Sequence, residues 1–205
     1  MQGQLERVYR DAVEVSAQKV FETATDPTSR DFVDDILYEL RLKRELFAGD
    51  IPADDIETYS PVKRVGPYIL VHQTARRDWE ISDGVFQLKK GDPYINFHIP
   101  PGQYDIPAAA WTEGYQQAAQ YIVRHDIPLT YWLGITYGRL ASIAGRAGYT
   151  NIPLNVGWLV QHAFEDICGR FLNPSGSTRP PGELVLCYQT RGAFLQRFGS
   201  HAPAR

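Results

Sequence analysis

Cysteine is scarce in this chain: two in 205 residues, Cys168 and Cys187, in no C-x-x-C pair. A disulfide scaffold and a cysteine-rich zinc site are therefore excluded, and free thiols in a reducing compartment are expected. Long apolar runs are lacking as well; none approaches the ~18 residues that suggest a spanning helix. Met1 to Arg10 are polar and mixed in charge, unlike a signal peptide, so the expected location is cytoplasmic with no membrane as partner. Nor is there an excess of positive charge. A formal charge of −3 argues against general nucleic-acid affinity. No nucleophile, metal or phosphate motif stands out, and no segment repeats.

What remains is the composition of an ordinary soluble domain, 43% hydrophobic and 22% charged, with enough residues to build a core that needs no staples. Charge is uneven along the chain. Residues 1–57 carry 7 Lys and Arg against 14 Asp and Glu, whereas the rest carries 14 against 10. Within the acidic part, Leu5, Val8, Tyr9, Ala12, Val13, Ser16 and Val20 recur at three and four, as one stripe of an amphipathic helix. Asp26-Pro27 breaks it, Thr28 or Ser29 caps a second helix with Phe32, Val33, Ile36, Leu37 and Leu40 on one side, and Gly49 marks its end. An N-terminal helical hairpin over residues 1–50 is expected, followed by an α/β domain over 51–205. The acidic helices are either a solvated face or the surface for a protein partner or a homodimer.

The centre of the body is Asp83 to Pro100. Two short apolar runs, Val85–Leu88 and Tyr94–Ile99, flank the turn former Lys90-Gly91-Asp92-Pro93, and the spacing predicts a hairpin between them. Pro100-Pro101 ends the second run because proline lacks the ladder donor. In that run Tyr94, Asn96 and His98 should share one face, and Ile95, Phe97 and Ile99 the other. Before it, Tyr68–His72 reads as a buried strand, and Asp78 to Gly84 as turn formers around Trp79 and Ile81. After it, a helix begins near Pro107 with a stripe of Trp111, Tyr115, Ala118, Ala119 and Ile122, closed by His125-Asp126-Ile127-Pro128. Tyr131–Thr136 is a strand that runs into a helix ending at Gly148. A buried helix over 156–172, a polar loop over 173–182, a strand over 183–188 and a short helix over 191–198 complete the chain. The expected fold is α/β (α+β): a mixed, largely antiparallel central sheet with helices on both faces.

This order resembles the GNAT-type acyltransferase fold: two early helices, an antiparallel meander, a helix, a strand, another helix and closing strands. Gly134-Ile135-Thr136-Tyr137-Gly138-Arg139 through Gly148-Tyr149 looks like that family's strand–helix–Gly-aromatic unit. Asp83-Gly84, Lys90-Gly91-Asp92, the His98 strand and Phe194-Leu195-Gln196-Arg197-Phe198-Gly199 also resemble the YkoP-like domain, which in some proteins accompanies polysaccharide deacetylase domains. Both likenesses span about residues 65–199. The GNAT resemblance implies acyl transfer to a small-molecule substrate with acyl-CoA as cofactor. In that family a Q/R-x-x-G-x-G/A loop holds the pyrophosphate on backbone amides. Here the corresponding place reads Pro100-Pro101-Gly102-Gln103-Tyr104-Asp105-Ile106-Pro107, with one glycine and an acid near the helix start. The family's frequent tyrosine acid falls on Ala144.

Among single residues His98 is the foremost catalytic candidate, because an imidazole near neutrality serves as a base. Asn96 and Tyr149 are expected to orient the substrate, and Tyr94, Tyr137, Arg139 and Tyr104 to line its site. Each also has a plain structural explanation, packing or a strand-end hydrogen bond. Two further classes stay open: a non-catalytic domain that binds a small molecule or a protein, and a metal-dependent hydrolase using His72 and His98 with Asp92 or Asp105. Cys187, in an apolar strand without a basic neighbour, is expected to be an inert core thiol.

Overall fold

The computed structural model describes residues 57–81, 84–98, 106–154 and 183–199, with backbone only at 137–139. All but residue 183 belong to one compact unit built from residues 52–154 and 184–205. The expected helices over 1–50 and 156–172 and the loop over 173–182 lie outside the described residues.

Eight strands and three helices are described. In chain order they are β1 (Val62–Val65), β2 (Tyr68–Thr74), β3 (Trp79–Ile81), β4 (Phe86–Leu88), β5 (Pro93–His98), α1 (Ala108–Arg124), β6 (Tyr131–Tyr137), α2 (Gly138–Arg146), β7 (Thr150–Pro153), β8 (Leu184–Thr190) and α3 (Arg191–Phe198). Six strands make one sheet in the order β1-β2-β5-β6-β8-β7, while β3 and β4 form a separate ribbon. Every neighbouring pair in the large sheet is antiparallel except β5–β6, which is parallel because α1 carries the chain back between them. The α+β class and the mixed, mostly antiparallel sheet follow the expectation.

The expected hairpin between β4 and β5 does not form. The turn is there: Asp92 N donates to Lys89 O at 2.9 Å, and Gly91 takes the positive φ of 96° that the sharp reversal needs. The same turn is bound on its other side by β2, with Ala75 N donating to Asp92 O and Gly91 N to Ala75 O, both at 2.9 Å. The chain therefore leaves the turn alongside β2. Both edges of β5 are taken, by β2 and β6, and β4 pairs with β3 instead. Strands β1, β3 and β7 are also additions to the predicted set, since Lys63-Arg64, Asp78 and Pro153 obscure their apolar alternation.

All three described helices cover one face of the large sheet. Tyr115, Ala118, Ala119 and Ile122 of α1, Ala141 and Ala144 of α2, and Phe194 and Phe198 of α3 share a core with Tyr68, Leu70, Ile95, Trp132 and Cys187 from the strands. Trp132 is wholly buried, its indole stacked 4.3 Å from Phe194 and 5.6 Å from Phe97. Helix α1 comes very close to the β1–β2 turn at Gly114, where a Cβ would lie 2.6 Å from both Pro67 Cδ and Tyr68 Cε2. Gly148 ends α2 as expected. Its N–H donates to Gly145 O and that of Tyr149 to Ala144 O, the two bonds of a Schellman cap, at a φ of 89°. The same cap ends α1 with Asp126 in the glycine position.

Candidate functional site

Strand β5 divides its side chains as its alternation requires. Tyr94, Asn96 and His98 stand opposite Gln73, Val71 and Ile69 of β2 on one face; Ile95 and Phe97 stand opposite His72 and Leu70 on the helix-covered face. Asn96 is buried, and Tyr94 and His98 are half-buried. The face with Asn96 and His98 is otherwise apolar at this level, lined by the buried Ile69, Val71 and Leu133.

The seam between β5 and β6 is short. Parallel partners run Tyr94–Tyr131, Ile95–Trp132 and Asn96–Leu133. Strand β5 goes on through Phe97 to His98, and β6 goes on to Tyr137 paired with β8 throughout. The described pairing of β5 with β6 covers these three rungs, the last being Asn96–Leu133. The last described rung thus lies toward the C-terminal ends of both strands, the end where ligands of α/β sheets gather. Gly134 follows the last described rung on β6. On the helix-covered side the Phe97 ring lies against it, so that a Cβ on Gly134 would be 3.1 Å from Phe97 Cε1.

Of the expected site residues, Asn96 and His98 share one face at this end, with Tyr94 two positions further down. Tyr149 is on the opposite side. Its ring packs 5.5 Å from Phe97 and 5.8 Å from Tyr115 within the helix-covered core, and burial holds its phenol well above the ordinary range. The structure therefore does not bring Tyr149 to Asn96 and His98, because the sheet stands between them. Tyr137 closes β6 opposite Leu184, and Arg139 lies in the first turn of α2; their side chains are outside the described residues. Tyr104, Asp105 and the rest of 99–105 also lie outside them.

The pairing of His72 with His98 in one metal site fails on register. His72 stands opposite Ile95 and His98 opposite Ile69, so the two imidazoles leave opposite faces. Asp92 accepts from the backbone N–H of Lys89 at 2.8 Å within its turn. No cluster of three or more His, Cys, Asp or Glu with metal-binding geometry occurs among the described residues.

His72 belongs instead to a ring cluster that sequence alone does not reveal. Tyr59 Oη lies 3.3 Å from His72 Nδ1, and the rings of His72, Tyr59, Tyr121 and His125 gather at centroid distances of 4.8–6.5 Å. Burial, reinforced by His125, lowers the His72 pKa to about 4. The same cluster straps residues 57–61 onto α1. Tyr121 Oη accepts from Ser60 N and donates to Ser60 O, and Arg124 pairs with Glu57. Cys187 is buried, and burial pushes its thiol up to about 12, in keeping with an inert core thiol.

No helix among the described residues is long and apolar enough to cross a membrane. Comparisons with protein-family models, with curated proteins and with solved structures gave no match.

Proposed function

We propose that this chain is a GNAT-like acyltransferase, or a degenerate relative of one, acting on a small substrate where β5 and β6 part. What supports the reading is the topology: a single parallel pair in an otherwise antiparallel sheet, joined by a crossover helix, with described rungs at Tyr94–Tyr131, Ile95–Trp132 and Asn96–Leu133. An acyl-transfer site of this shape needs a cleft between the two strands beyond those rungs. The β6–α2–Gly148-Tyr149 unit, with its Schellman cap, agrees with the resemblance that the sequence carries.

Acyl-CoA would supply the activated thioester. His98, at the opening, takes the proton that an amine or hydroxyl acceptor loses on acylation, and Asn96 on the same face orients that acceptor. Tyr94, Tyr137, Arg139 and Tyr104 are the substrate-binding residues of this reading. Tyr149 acts from the other face through the Phe97 ring that it supports, as a positioning residue.

Thermal unfolding of the full chain with acetyl-CoA and longer acyl-CoAs at millimolar concentration tests the proposal. A ligand at a hundred times its Kd stabilises by about 2.7 kcal/mol, which at roughly 2–4 °C per kcal/mol for a chain of this size is a rise of about 5–10 °C. No shift with any acyl-CoA would end the reading.

A second reading, a non-catalytic domain that binds a small molecule or a protein, is favoured by the loop over 100–107, whose Asp105 and single glycine suit a pyrophosphate poorly. It predicts that a His98→Ala protein keeps every binding property of the parent.

A further inference from the structure

Residues 57–61 precede β1 and belong to no strand or helix. Side chains fasten them. Tyr121 Oη accepts from Ser60 N at 2.9 Å and donates to Ser60 O at 2.8 Å, and Arg124 pairs with Glu57. The Tyr59 ring lies parallel to that of Tyr121, 6° apart in plane, and its Oη is 3.3 Å from His72 Nδ1. Pro61 O accepts from His72 N at 2.8 Å. These fastenings are light. Tyr59 is 54% exposed, and the Arg124–Glu57 pair lies at the surface, where solvent screens it.

His72 is where the strap meets the sheet. Its Nε2 is buried and has no protein hydrogen-bond partner among the described residues. A neutral imidazole carries one proton and tolerates this at the cost of one bare polar atom. An imidazolium carries a proton on both nitrogens, so Nε2 would become a buried, charged donor without an acceptor. The surrounding elements offer little to offset that charge. On α1 stand Tyr121, Arg124 and His125, and on the strap Tyr59 and Glu57. On β1, Lys63 shares the face of His72, opposite Leu70. Of the two carboxylates nearby in the chain, Glu57 is paired with Arg124, and Asp126 faces water 3.7 Å from Arg191.

We propose that His72 is an acid-operated latch: its protonation releases residues 57–61 from α1 while the sheet stays folded. Opening of the strap lets water reach the imidazolium, so protonation and opening favour each other. The strap is part of the chain's passage into β1 from residues 1–51, which belong to a separate compact unit, and the latch makes the hold on that passage depend on pH. The device stands on the contacts around His72 and does not depend on the acyl-transfer reading.

Residue-resolved amide hydrogen exchange on the full chain, corrected for the intrinsic pH dependence of exchange, tests the latch. The Ser60 amide reports the strap, and the amides of β2 and β5 report the sheet. With the His72 pKa at about 4 when the strap is closed and at the ordinary 6.5 once it opens, closure is favoured fully above pH 6.5 and less as pH falls toward 4. Ser60 protection should therefore fall roughly 30-fold between pH 7.5 and pH 5, while β2 and β5 keep theirs. His72→Phe should hold Ser60 protection level over the same range. An NMR titration of the His72 ring in the parent is the second measurement, with proton uptake expected alongside the loss of Ser60 protection. Level protection of Ser60 in the parent, its loss in step with β2 and β5, an equal fall in His72→Phe, or a protonated His72 with Ser60 still fully protected would each overturn the proposal.

Discussion

The two faces of β5 differ in what surrounds them. Ile95 and Phe97 look into a core of stacked and edge-on rings, in which Trp132, Phe194, Tyr115, Phe198 and Tyr149 meet at centroid distances of 4.3–6.2 Å. Tyr94, Asn96 and His98 look the other way, in company with Gln73. One residue of strand separates the group that carries stability from the group that could carry chemistry. The first face fixes where the strands lie, and the second is then free to hold polar side chains in a defined place. Substitutions on the two faces should therefore differ in kind.

The largest effect on stability is expected from Trp132→Ala. It removes a wholly buried indole from the middle of the core and should cost about 3–5 kcal/mol in urea unfolding. A cost below about 1 kcal/mol would break the assignment of stability to the helix-covered face.

Acid tests the same face at His72. Its folded pKa, about 4, lies below the ordinary 6.5, so between these values the unfolded chain accepts a proton that the folded chain refuses. His72 therefore favours folding fully above pH 6.5, and that advantage is lost as pH falls toward 4, by on the order of 3 kcal/mol. Urea unfolding from pH 7.5 to 4 should show this slope in the parent. His72→Phe, which keeps a ring against Tyr121, should lack that share of it.

Gly114→Ala sharpens the comparison at its margin. The added methyl would meet Pro67 Cδ and Tyr68 Cε2 at 2.6 Å, and the expected loss is about 1–3 kcal/mol by urea unfolding. On the other face, His98→Ala should change stability by less than about 1 kcal/mol. If the acyl-transfer reading holds, the same variant should lose about 10²–10⁴-fold in turnover, the usual worth of a general base.

Much of this division was legible in the residues. Alternation along Tyr94–His98 separates the two faces correctly, and the stripe Tyr115, Ala118, Ala119, Ile122 lies against the sheet. Gly148 and the 191–198 helix also fall where punctuation places them, the latter capped by Thr190 Oγ1 accepting from Ala193 N. What local pattern lacks is register. Lys90-Gly91-Asp92-Pro93 announces a turn but not which strand receives the chain, and the bonds to Ala75 that decide it come from fifteen or more residues away. The face on which Tyr149 lands depends on how α2 packs, so its separation from Asn96 and His98 is visible only once Phe97 is placed.

The central claim is that β5 and β6 are zipped over Tyr94–Asn96 and parted beyond. Residue-resolved amide hydrogen exchange on the full chain measures this most directly. Amides of β6 point alternately to β8 and to β5, so those of residues 134–137 that face β5 are predicted to exchange far faster than the amides of residues 131–133. Uniform protection from 131 to 137 would mean a closed seam, and would contradict both the opening and the acyl-transfer site proposed within it.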